Sequence, residues 1–143
     1  MGEKKKGETV LIKRFEDSLV WQEARKLMNA VYDMTDAKVF RKDCSLSDQL
    51  RRASVSCMSN VAEGFDSHTK QQFIQMLNYT RRSASEVQSG LYAALDRKYI
   101  NEVDFKKNYE QAASVRRLAN GFIRHLRGSN KQSNSHTRGA AII

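Results

Sequence analysis

The stretch RRASVSCMSNVAEGF, Arg51 to Phe65, decides how this chain folds. Taken as residue types, its Ser, Cys, Asn and Glu suggest a nucleophile with helpers. Wound into a helix at about 100° per residue, it becomes a packing element. Leu46, Leu50, Ala53, Cys57, Asn60 and Gly64 then fall within about 40° of one direction, with Val61 the alternative to Asn60. That four-three alternation is a bundle seam. Val55, Met58, Ala62 and Phe65 fall on the other side, giving this helix two apolar faces. One face fills the core; the second needs cover from another copy of the chain. Ser54, Ser56, Ser59 and Ala62 are small enough for a neighbouring helix to approach closely. Asn60 is expected to point into the seam as a bonded amide, and Gly64 to stop the helix.

The chemical reading fails on its base. A Ser or Cys nucleophile needs a base that is itself held by a third group. The histidines are His68, His125 and His136. His136 lies near the C-terminus, His125 stands among arginines, and His68 opens a helix. No serine occupies a Gly-x-Ser-x-Gly elbow, and no Glu-x-x-His pairs suggest a di-metal bundle. No Gly-rich phosphate cradle is present. Cys57 is expected to be a small apolar filler. The chain is therefore expected not to be an enzyme, with no metal and no cofactor.

Composition agrees with helices. The 143 residues suggest one domain, and they contain no proline and seven glycines. No apolar run approaches the roughly 18 residues of a membrane span, so no membrane partner is expected. The N-terminal MGEKKKGETV has no apolar h-region, so no secretory signal is expected. Cys44 and Cys57 have neither disulfide-framework nor zinc spacing, which suits a reducing cytoplasm.

Outward from the opening stretch, three more helices follow from periodicity. Val20, Ala24, Leu27, Val31 and Met34 stripe a helix over about 17–36, capped by Asp17 or Ser18. DAKVFRKDCS is a polar connection, after which Ser45 or Ser47 caps the second helix. Phe73, Leu77, Thr80, Ala84, Val87, Leu91 and Ala94 stripe a third over 68–97, capped by Ser67 or Thr69. RKYIN turns the chain. Phe105, Tyr109, Ala112, Ala119, Phe122 and Leu126 line a fourth that starts near Glu102. The expected fold is all-α: an antiparallel up-down-up-down four-helix bundle over 15–126. A basic arm, 1–14, precedes it and a basic tail, 127–143, with an apolar AAII tip, follows.

The net charge of +9 favours polyanions, RNA or DNA. Arg117, Asn120, Arg124 and Arg127 share one face of the fourth helix, opposite its core stripe, with Arg116 beside them. Arg81 and Arg82 form a second cluster, Arg51 and Arg52 a third, and Lys131 continues the charge into the tail. Guanidinium forks suit phosphate oxygens, so binding should be phosphate-driven and salt-sensitive. The expected nucleic-acid contacts are Arg81, Arg82, Arg116, Arg117, Arg124, Arg127 and Lys131. The competing class is a protein-interaction scaffold.

Three segments carry a family resemblance: FEDSLVWQEARKL, RRASVSCMSNVAEGF, and FIQMLNYTRRSASEVQSGLYAALDRKYI. Over about residues 14–126 the chain resembles the four-helix-bundle proteins encoded in 23S rRNA intervening sequences. Where that family often has Ile-Pro, this chain has Cys57-Met58, so the second helix need not kink there. The resemblance implies a barrel-shaped homopentamer. Related bundles are the accessory variability proteins of diversity-generating retroelements, which bind nucleic acid and a reverse transcriptase; the resemblance implies such partners here.

Overall fold

The computed structural model describes residues 12–131, and the basic arm up to residue 11 and the tail beyond 131 lie outside the described residues. Among the described residues there are four α-helices: α1 Leu19–Thr35, α2 Cys44–Phe65, α3 Lys70–Asp96 and α4 Glu102–Lys131. Among the described residues there is no β-strand. Helix α1 packs on α2 and α4, α2 on α3, and α3 on α4. Contacts such as Gly64 with Phe73 and Gly90 with Leu50 make α2 and α3 antiparallel.

Each helix starts where a side-chain oxygen meets a free N–H. Ser18 Oγ accepts from Trp21 N at the start of α1, and Thr69 Oγ1 from Gln72 N at the start of α3. On α2 the cap is Asp43, whose Oδ1 accepts from Leu46 N at 3.1 Å, and neither Ser45 nor Ser47 takes that place. The same carboxylate accepts from Tyr99 Oη at 3.1 Å through Oδ2, so it also ties the α3–α4 turn to α2. Asn101 Oδ1 accepts from Asp104 N at the start of α4.

The core joins all four helices through Val20, Leu27, Val31, Leu50, Val61, Leu77, Val87 and Leu91, with Phe122 and Leu126 from α4. Phe73 centres an aromatic cluster, with ring centroids 4.9 Å from Phe65 and 5.0 Å from Phe122. Several expectations change here. DAKVFRKDCS holds a 3-10 turn, Lys38–Lys42, and its Phe40 is fully buried against Tyr99. Ile12 is buried as well, so the folded part begins inside the expected arm. Helix α4 continues through Arg127 to Lys131, where a tail was expected. No proline interrupts that segment, and each added residue extends the helix by one backbone hydrogen bond.

The opening stretch also departs from expectation. Val61, not Asn60, fills the seam and is fully buried; Asn60 stands half-buried at its rim. Counted from Leu46 at about 100° per residue, the buried set centres near 30–40°, where Val61 lies closer than Asn60. On the same count Met58 and Phe65 stand only about 100–120° round. Both therefore pack against the bundle's own core rather than opposite it. Val55, 38% exposed, and half-buried Ala62 remain on the far side. Gly64 lies inside α2, one residue before its end. A Cβ there would stand 2.8 Å from Phe73 Cδ1, so glycine is required for helix approach rather than for termination.

Candidate nucleic-acid interface

Helix α4 sets the basic face. Its buried stripe of Ala112, Val115, Ala119, Phe122 and Leu126 points to the core, which turns Arg117 and Arg124 to solvent. These two lie seven residues apart in sequence, about 10 Å along the axis and nearly in line. Arg127 is exposed about 60° round from Arg124. None of the three forms a salt bridge among the described residues. A shallow open depression continues the charge toward the start of α4, lined by Lys106, Lys107, Glu110 and Arg117.

The other predicted arginines sit differently. Arg116 is half-buried, and its Nη1 donates to Gln88 Oε1 of α3 at 3.0 Å. Arg81 is half-buried on α3, whereas Arg82 is exposed, its guanidinium 6.0 Å from the Tyr79 ring centroid. The Nε atoms of Arg81 and Arg116 are buried without a hydrogen-bond partner among the described residues. Arg51 is a clamp between helices: Nε donates to Thr35 Oγ1 and Nη2 to Asp36 Oδ1, each at 2.8 Å, and the guanidinium covers the Tyr32 ring. Arg52 lines a polar groove beside Asp48, Ser56 and Glu86. The Lys131 side chain lies outside the described residues.

The polar atoms of the opening stretch serve packing. Asn60 Nδ2 donates to Ser56 Oγ at 2.9 Å, and Ser83 Oγ of α3 donates to the same oxygen at 3.0 Å. Thr80 Oγ1 donates to the Cys57 carbonyl at 3.1 Å. Burial pushes the Cys57 thiol up to about 12, with Glu86 adding to the shift. It is held in the neutral form, the poor nucleophile. Among the described residues neither His68 nor His125 receives a hydrogen bond from a serine or cysteine.

Sequence periodicity did not reveal Gln88 and Tyr92, and it placed Tyr109 in the core stripe without its part in the α3–α4 seam. Buried Gln88 reaches from α3 to both Arg116 and the Tyr109 carbonyl of α4. Tyr92, 51% exposed, packs on Phe105 and Tyr109 with centroids at 4.8 and 5.9 Å. An exposed aromatic among half-exposed neighbours is a signal only once α3 and α4 are aligned.

The fold and surface define an all-α protein with a basic helix face and no helix long and apolar enough to cross a membrane among the described residues. The chain belongs to the family of 23S rRNA-intervening sequence proteins, whose model matches residues 16–121. Among solved structures it is similar to a protein of unknown function from the S23 ribosomal protein family of Bacteroides thetaiotaomicron. That match has a TM-score of 0.68 at 18% identity, covering 73% of this chain and 98% of the other. At that identity the likeness speaks for the fold alone. No curated protein matches the chain.

Proposed function

We propose that this chain is a non-enzymatic nucleic-acid-binding protein of the rRNA-intervening-sequence family, which meets phosphates with the exposed arginine face of α4. The observation that carries the reading is the exposure of Arg117, Arg124 and Arg127 with no salt-bridge partner among the described residues. A solvated helix face has little reason to gather three exposed arginines and two lysines around a single carboxylate, Glu110. A phosphate backbone does, because each contact releases condensed counterions. The family name supports an RNA-related role. It offers no support for the reverse transcriptase that the retroelement resemblance implies, so the reading stands without that partner.

Titrating labelled RNA and DNA against salt tests this. Affinity should fall linearly on a log–log plot, by about 0.7–0.9 per phosphate contacted. Replacing Arg117, Arg124 and Arg127 together by Glu should abolish binding while helicity is kept. No binding at about 50 mM salt, or a flat slope, would leave the scaffold reading.

Self-association of up-down-up-down bundles belongs to the same reading. Exposed Val55 lies on α2 beside small Ser59 and Ala62, in a groove of mixed charge that holds Asp48, Glu63, Arg51 and Arg52. A second copy that covers this α2 face while leaving the α4 arginines free would extend into a ring, as heterologous contacts do. Light scattering decides it: a monomer at micromolar concentration rules the ring out.

A further inference from the structure

Helices α3 and α4 meet along two facing stripes. On α3 the stripe is Arg81, Ser85, Gln88 and Tyr92, all within about 60° of one direction. On α4 it is Phe105, Tyr109, Ala113, Arg116, Asn120 and Arg127. The bonds from Gln88 to Tyr109 and Arg116, and the Tyr92–Phe105 ring contact, fix the two stripes in antiparallel register. Gln88 is buried; Tyr92 and Arg127 are exposed; the remaining seven residues are half-exposed, so together they line a groove. Neither stripe contains a carboxylate.

The groove has two kinds of ligand-facing chemistry. At one end the Tyr92 ring is backed by Phe105 and Tyr109 while about half its surface stays open. Along the rest stand Arg81 and Arg116, each with a buried Nε that has no partner among the described residues. Both side chains are half-exposed, and beyond the Arg116 Nη1 bond to Gln88 their terminal guanidinium nitrogens are the donors that can face phosphate oxygens from outside. From Tyr92 to Arg81 is eleven residues, about 16 Å along the axis, room for two or three nucleotides.

We propose that this groove holds an unpaired nucleic-acid strand, with a base stacked on Tyr92 and neighbouring phosphates on Arg116 and Arg81. The inference rests on the nucleic-acid reading of the α4 face and narrows it to single strands. Aromatic platforms beside a basic track suit unpaired bases of any sequence, since every base has a π-face. A duplex keeps its bases stacked internally and cannot use the ring.

The test measures anisotropy of a labelled short unpaired oligonucleotide, in RNA and DNA forms, and of the matching blunt duplex. The wild type should prefer the unpaired strand. Tyr92→Ala should weaken the strand roughly tenfold and leave the duplex nearly unchanged, and Tyr92→Phe should restore the loss because the ring is kept. Arg81→Met should lower the salt slope for the strand by about one contact. Equal binding of strand and duplex overturns the proposal. So does a Tyr92→Ala variant that binds the strand as wild type does while the triple arginine-to-glutamate variant loses it; that result leaves the α4 face standing. Failure of the wild type to bind any of the probes at low salt overturns both readings.

Discussion

The two sides of helix α3 are built on opposite principles. Toward α2 the interface is close and satisfied. Gly64 lets the Phe73 ring approach, Gly90 admits Leu50, Thr80 donates to the Cys57 carbonyl, and Ser83 to Ser56. Toward α4 one rim of the interface is half-exposed and polar. It uses Gln88 as a bridge and leaves the Nε of Arg81 and of Arg116 unanswered. A partnerless buried donor costs about 1–3 kcal/mol, and a chain under no other demand would place Leu or Met there. The difference separates a side of α3 whose polar groups are satisfied within the bundle from one whose rim carries the proposed strand site.

Four perturbations would break or sharpen this contrast. The largest is Phe73→Ala, which empties the junction of Phe65, Phe73 and Phe122. It should cost roughly 3–5 kcal/mol in chemical denaturation. Next is Gly64→Val, whose Cβ would collide with a ring that has nowhere to move. About 1–3 kcal/mol is expected, and an undiminished midpoint would show that α2 and α3 are less closely packed than described.

The third uses pH. The folded Cys57 thiol is pushed up to about 12, well above an unfolded thiol near 8.5. The folded state therefore holds its proton longer, so this contribution is complete below about pH 8.5 and is lost as pH rises toward about 12. Each unit in that window should remove roughly 1 kcal/mol, and Cys57→Ala should flatten the decline relative to wild type. Parallel pH profiles for the two proteins would contradict this. In the same samples exposed Cys44 should react with a thiol reagent at neutral pH and Cys57 only on unfolding. The smallest effect is on the open side: Arg81→Met should leave stability unchanged or raise it by about 1 kcal/mol while nucleic-acid affinity falls. A loss of stability there would mean that Arg81 is part of the packing.

Much of the fold was legible because three helices carry strong stripes. Thr69, Ser18 and the start near Glu102 were read correctly or narrowed to two choices. Asp43 was missed as a cap because neighbouring Ser45 and Ser47 are chemically equivalent to it. Only the turn that buries Phe40 decides among them. Phe40 itself sat within a polar connection with no period to reveal it. In the opening stretch the seam was seen, but Met58 and Phe65 were assigned to a second face that the helical angle does not support. Of the predicted interface, Arg117, Arg124 and Arg127 stand exposed as expected. Arg116 lies in the α3–α4 groove instead, because one step around a helix turns a solvent position into a contact.

By itself the sequence determined the all-α class, the α1 and α3 stripes, the excess of positive charge and the conversion of RRASVSCMSNVAEGF from apparent active site to packing element. These are properties of local periodicity and composition, which need no knowledge of neighbours. Only the tertiary structure decided that Val61 displaces Asn60 from the seam, that Gly64 serves a ring on another helix, and that Tyr92, Gln88, Arg116 and Arg81 share a groove. Those outcomes depend on the register between helices. Register is set by how distant side chains fill one another's spaces, and no single helix encodes it.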